Sequence, residues 1–199
     1  MGVAEAQGGR RERRKAATRA AIADAALTLF LERGFDDVTV TEIAAAADVA
    51  PSTVFSHFPT KEALVFDEDT DREAALVRAV ADREPGLGVV EALHRHLRAV
   101  LDERVPGDDD RLARFTALVA ATPALRDHGH RMWSRHERAL ADALAADAGV
   151  EPDHPATRAL AHLVVETHAL LDLPGVDPRA ALDAAFAVLA HGWDAAAPH

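Results

Sequence analysis

The stretch from Thr39 to Leu64, TVTEIAAAADVAPSTVFSHFPTKEAL, packs two very short helical patterns and the opening of a third into one segment. Helices that short serve few architectures other than a helix-turn-helix. Thr39 followed by Glu42 is a capping box, in which hydroxyl and carboxylate satisfy orphan backbone donors at a helix start. The helix it opens carries Ile43, Ala44 and Ala47 on its apolar side. It ends near Ala47, because Asp48-Val49-Ala50 breaks the pattern and Pro51 drives Ala50 out of the α region. Pro51 itself suits a first helical turn, so a second helix begins there. On that helix Val54 and Phe58 point inward, four residues apart, while Ser52, Thr53, Ser56 and His57 gather on the other side. A third helix opens at Thr60 or Lys61, where a cation is unfavourable unless a phosphate lies near.

The polar cluster at 52, 53, 56 and 57 has two readings. A solvated helix face accounts for it, and so does a small polar surface able to approach a nucleic-acid groove. The residues upstream bear on the choice. Arg10, Arg11, Arg13, Arg14, Lys15 and Arg19 set six cations against the single Glu12, and basic arms of this kind neutralise phosphates.

The run LFLERGFDDVTVTEIAAAADVAPSTVFSHFPTKEAL, Leu29 to Leu64, closely resembles the N-terminal domain of the TetR (tetracycline repressor) family of transcriptional regulators. It carries T-V-x-x-I-A at Thr39 to Ala44 and H-F-x-x-K-E-x-L at His57 to Leu64. The resemblance implies that the helix ending near Arg33-Gly34 buttresses the pair and that residues 51 to 57 form the recognition helix. It also implies phosphate contacts from Thr39, His57 and Lys61, and base-edge or groove contacts from Ser52, Thr53 and Ser56. Thr41, Phe55, Arg10, Arg11, Arg13 and Arg14 complete the expected DNA-facing set. Three positions depart from the family's commonest pattern. Asp48 stands where Gly often takes a left-handed turn, Ala50 replaces a Ser or Thr cap, and Phe55 replaces a frequent Tyr, leaving packing without a hydroxyl.

Composition bounds the remaining classes. At 199 residues the chain has room for one or two domains with independent cores. It has no cysteine, which excludes disulfides and thiolate chemistry. No apolar run approaches the roughly 20 residues that cross a bilayer, and no apolar signal core opens the chain. A cytoplasmic protein without a membrane partner is expected. The net charge of -11 is uneven: residues 1–66 hold eight basic and nine acidic groups, which leaves -10 on residues 67–199. An acidic body repels DNA wherever it is not docked and so favours one orientation.

The fold expected is all-α, with about nine helices. Residues 1–9 read as a disordered tail, 10–60 as a three-helix DNA-binding domain, and 61–199 as a helical ligand-binding and dimerisation domain. The first helix runs from Arg10 to Arg33 with Ile22, Ala26, Leu29 and Phe30 inward, Gly34 as a left-handed stop and Phe35 folding back. A linker helix follows from 61 to about 83. Pro and Gly then punctuate helices at about 88–104, 110–121, 124–147, 155–173 and 178–195. Helix 155–173 is apolar on two sides: Leu160, Leu163, Val164, Thr167 and Leu171 on one, Ala161, Val165 and Ala169 on the other. Such a helix is buried on two sides. It is either a central core helix or one that also packs against a twin. In the second case Ala161, Val165, Ala169, Leu182, Phe186, Leu189 and Trp193 would form the dimer interface, as the resemblance implies.

The eleven histidines invite a metal reading, but the pairs at 94/96 and 128/130 point about 200° apart on a helix and no His-Glu-x-x-His occurs. No metal, no cofactor and no enzymatic activity are expected, since phosphate loops and nucleophile elbows are also missing. Polar residues on apolar faces suggest instead either mutual hydrogen bonding or an effector cavity. His94, Phe115, Met132, Trp133, His136, Thr167 and His168 are its candidate lining. Thr122 to Ala145 also resembles, to a lesser degree, regulators thought to bind acyl-CoA-like ligands. Together these features point to a ligand-responsive repressor that binds operator DNA as a homodimer and is released by a small apolar or amphipathic effector. The alternatives are a small-molecule-binding dimer without specific DNA binding, and an all-α enzyme using the histidines.

Overall fold

The computed structural model describes residues 2–67, 69–103, 109–171 and 175–191, and the side chains of these apart from residues 2–10, 12, 70 and 109. Every regular element among the described residues is helical: α1 (Gly2–Arg33), α2 (Val40–Ala46), α3 (Pro51–His57), α4 (Asp69–Ala81), α5 (Val89–Asp102), α6 (Asp109–Ala121), α7 (Pro123–Ala148), α8 (Pro155–Glu166), α9 (His168–Leu171) and α10 (Pro178–His191), with one 3-10 turn at Glu62–Leu64. None of the helices described is long and apolar enough to cross a membrane. The chain forms two compact units, one of residues 1–68 and 110–129 and the other of 69–109 and 130–199.

In the first unit α1 presents Ile22, Ala23, Ala26 and Phe30 to the core. Helix begins at Gly2 rather than after a disordered tail of nine residues, because Ala4, Glu5, Ala6 and Gln7 are good helix formers. Gly34, at φ 91°, stops α1. Phe35 then turns back so that its ring lies 5.1 Å from that of Phe30. The turn between α2 and α3 places Asp48 at φ 52°, the left-handed conformation anticipated for it. Ile43, Ala44, Val54 and Phe58 close the core. The helix expected from residue 61 does not form as one piece. The chain makes a single 3-10 turn that buries both Leu64 and Val65, and α-helix resumes at Asp69, where Asp69 and Asp71 place carboxylates in a first turn. α6 and the start of α7 add Phe115, Leu118, Val119 and Leu125 to the same core, so this unit draws on more of the chain than residues 10–60.

The second unit has its own core of Leu76, Val80, Leu93, Leu101, Leu140, Leu144, Ala161, Val164, Val165, Leu182 and Phe186. The helix expected over 155–173 is divided. The Thr167 hydroxyl donates to the Val164 carbonyl at 2.6 Å, and the side-chain bond back to the helix marks the break between α8 and α9.

Candidate nucleic-acid interface and C-terminal polar cluster

The candidate reading surface is built on two seven-residue helices, too short to persist without tertiary support. α2 is fixed by its cap. The Glu42 amide donates to Thr39 Oγ1 at 3.3 Å, and Glu42 Oε2 accepts from the Thr39 amide at 2.8 Å and from its hydroxyl at 2.7 Å. Arg33 completes the cluster with a 2.8 Å ion pair to Glu42. These hydrogen bonds, those of Thr39 first and Arg33 after, pull the Glu42 carboxyl from its ordinary 4.5 down to about 2. Thr39 was expected on phosphate; its hydroxyl proton is instead committed to Glu42. Thr41, next along α2, is exposed.

α3 has no side-chain cap, Ala50 standing at its N-terminus in extended conformation. Val54 and Phe58 anchor it, each 1% exposed. Its outer face shows Ser52, Phe55 and Ser56, with Thr53 and His57 half-buried. Phe55 is 57% exposed, its ring left open to solvent on the outer face of α3. Ser56 Oγ donates its proton to the Thr53 carbonyl at 2.7 Å. Its oxygen lone pairs are left as acceptors on the outer face.

Two cations that the sequence assigns to phosphates are held internally. Lys61 Nζ donates to the Phe35 carbonyl at 2.5 Å and lies 4.3 Å from the Phe35 ring centre and 5.6 Å from that of Phe30. Arg19 reaches the α3 C-terminus and the segment leading to α4, as set out below. Arg11, Arg13 and Arg14 stay exposed on α1; the Arg10 side chain lies outside the described residues.

Of the expected effector-binding residues, the second unit brings three together. His136, 1% exposed, uses Nε2 to bond Asp69 Oδ1 at 2.7 Å. A carboxylate only accepts, so Nε2 carries the proton, while the buried Nδ1 has no partner among the described residues. The Trp133 ring meets His136 edge-on at 5.2 Å and stacks on His168 at 4.2 Å. His168 Nδ1 donates to the Val165 carbonyl at 2.7 Å. Met132 is buried. His94 is elsewhere, bonded to Asp183 at 2.8 Å and stacked on Phe186 at 4.9 Å. Phe115 belongs to the first unit, edge-on to Phe66 at 6.2 Å. A single cavity lined by all seven residues is therefore not what forms. Two open concavities run along α7 instead, one of about 250 Å3 among charged residues such as Glu137, Arg138 and Arg158, the other beside His130, Arg131, Ser134 and Arg135. Neither is lined by Trp133, His136 or Met132. Among the described residues no His, Asp and Glu cluster suited to a metal ion occurs.

The expected dimer residues need the plainest correction. Ala161, Val165, Leu182 and Phe186 are buried in the core of one chain, and Leu189 packs against it. The first four leave a twin almost no surface, while Leu189 is half-buried. Ala169 is exposed, and Trp193 lies outside the described residues. The large apolar side chains left outward on these helices are Leu163, Leu170 and Val188, 52%, 40% and 37% exposed.

Residues 22–67, the span from Ile22 in α1 to the segment just before α4, match the family described as bacterial regulatory proteins, tetR family. The chain is 34% identical over 130 residues to the HTH-type transcriptional repressor Rv3405c of Mycobacterium tuberculosis, covering 61% of this chain and 68% of that one. The chain belongs to the TetR family. It is also similar to the HTH-type transcriptional regulator TcmR of Streptomyces glaucescens, 34% identical over 150 residues that make up 73% of this chain and span 66% of TcmR. Among solved structures, SmeT in complex with triclosan aligns with a TM-score of 0.58 at 23% identity, over 87% of this chain and 91% of that one. The TetR-family fold thus extends over most of the chain, and the relatives it matches in sequence are transcriptional regulators.

Proposed function

We propose that this TetR-family chain is a repressor that binds operator DNA as a homodimer in the cytoplasm and leaves it when an apolar or amphipathic effector binds. The helix-turn-helix within residues 10–60 reads DNA, and residues 61–199 carry the effector and dimer functions. The observation that carries the reading is the outer face of α3, where Ser52, Phe55 and Ser56 stand exposed on a helix whose other side is fully buried. Major-groove chemistry fits these groups: Phe55 suits a thymine methyl, and Ser56, its proton given to Thr53, suits the amino donors of adenine or cytosine. Arg11, Arg13 and Arg14 add sequence-independent phosphate affinity. Dimeric half-sites lie about 34–36 Å apart, so an effector that changes the spacing of two recognition helices weakens binding.

For the effector, the Trp133–His168 stack and the partnerless His136 Nδ1 support a site that opens when a ligand parts the two rings and donates a hydrogen bond to His136. The test starts by selecting duplexes from random DNA with the full chain. Triclosan and a long-chain acyl-CoA are then titrated into a Trp193→Phe variant while Trp133 fluorescence and affinity for the selected duplex are followed together. Quenching accompanied by a fall in affinity of about 5- to 150-fold is expected for an inducer. Selection without enrichment removes the DNA reading, and quenching without release makes the compound an occupant only.

A further inference from the structure

We infer that Arg19 is a positioning residue that sets the orientation of the recognition helix, and is not one of the phosphate ligands of the basic arm. The inference rests on the DNA-binding reading above. Arg19 follows the run Arg10 to Lys15, yet it lies one turn before Ile22 and Ala23, on the face of α1 that enters the core. Its guanidinium is spent inside the first unit. Nη1 donates to the His57 carbonyl at 2.6 Å, Nη2 to the Asp67 carbonyl at 3.1 Å, and Nε pairs with Asp67 Oδ1 at 2.7 Å. The plane of the group lies over the Phe58 ring, 4.2 Å from its centre. His57 is the last residue of α3, and its carbonyl is one of those a helix leaves without an internal partner. A cation there also complements the negative end of the helix.

α3 therefore has no side-chain cap at its N-terminus and a borrowed one at its C-terminus. Its outer face is aimed by the bonds around Phe58 and His57, and the planar fork of Arg19 reaches the His57 carbonyl with one nitrogen while its other two hold Asp67, in a way an ammonium does not reproduce. Asp67 serves as the second anchor, holding the guanidinium between the end of α3 and the residues that lead into α4.

The experiment uses the full-length chain as wild type, Arg19→Lys and Asp67→Asn, with binding to a selected duplex and to its scrambled counterpart measured across a range of salt. A loss of about 10- to 100-fold on the selected duplex is expected for Arg19→Lys, the effect of losing hydrogen bonds to a charged group, with the scrambled duplex and the salt slope unchanged. Hydrogen exchange of the free proteins should show faster exchange at His57 and Phe58 in both variants, while thermal unfolding confirms that each is folded. Equal loss on both duplexes with a slope reduced by about 0.9 per contact would place Arg19 on phosphate and overturn the inference. So would unchanged affinity with unchanged exchange. If the wild type selects no duplex, the DNA reading fails by itself, and the exchange data still decide whether Arg19 holds α3.

Discussion

Glu42 shows how one carboxylate can hold a reading surface in place. Its pKa of about 2, against an ordinary 4.5, means that the folded state prefers it ionised. The stability it lends is complete above pH 4.5 and is lost as pH falls toward about 2. Replacing Glu42 with Gln should lower stability at neutral pH and flatten the acid branch of the unfolding curve between those values, as measured by denaturant titration at a series of pH values. An acid branch unchanged from wild type would show that the capping box is not the source of the shift. The residues around it differ in how far the sequence alone revealed them. The Thr39–Glu42 box and the left-handed Asp48 were legible because each depends on neighbours within three residues. Lys61 and Arg19 were not, because in sequence a cation looks the same whether it meets phosphate or carbonyl oxygen. In the case of Arg19 a signal existed: with Ile22, Ala26 and Phe30 it shares the helical spacing of the buried face.

At the scale of elements, α3 is the weak member of the pair. Its N-terminus is held by Pro51 alone, with Ala50 making no side-chain bond. Ala50→Ser supplies the missing acceptor without disturbing the extended backbone at φ -71° and ψ 147°. It should stabilise the protein by about 1 kcal/mol, visible as a higher denaturant midpoint at unchanged slope. No gain would mean that the first turn of α3 is already satisfied by solvent. The helix starts and stops set by Pro and Gly were well placed by sequence: α5, α6, α7 and the start of α10 lie within two residues of their expected limits. The failures were the start of α4 and the break at Thr167, where burial of Leu64 and Val65 and a side-chain bond to the backbone override periodicity. Of the two apolar faces expected on this helix, Ala161, Val164 and Val165 are buried, whereas Leu163 is 52% exposed. Periodicity does not tell a neighbour in the same chain from one in a twin, and the single chain covers Ala161 and Val165 by itself.

For the whole molecule, the proposed self-association has only the side chains left outward to use. Leu163, Leu170 and Val188 are exposed on the last helices of the second unit. Leu163→Asp should yield a folded monomer by light scattering, because a charge facing a twin is buried without a partner. Leu182→Asp should behave differently and abolish cooperative folding, since Leu182 is fully buried within one chain. A dimeric, folded Leu163→Asp protein would place the interface on another face.

The length of α1 has a thermodynamic consequence for operator binding. At 32 residues and about 1.5 Å per residue it extends roughly 48 Å, but the first buried one among its described side chains is Ile22, and those from Arg11 to Ala17 are all exposed. The described side chains of that leading portion bury nothing that would offset its conformational entropy, and the like charges of Arg11, Arg13 and Arg14 crowd neighbouring positions. Phosphates would relieve the repulsion, so winding of the leading turns and neutralisation of the duplex become a single linked equilibrium. Salt then acts twice on this protein, once by screening the DNA and once by making the leading helix easier to form before the DNA arrives.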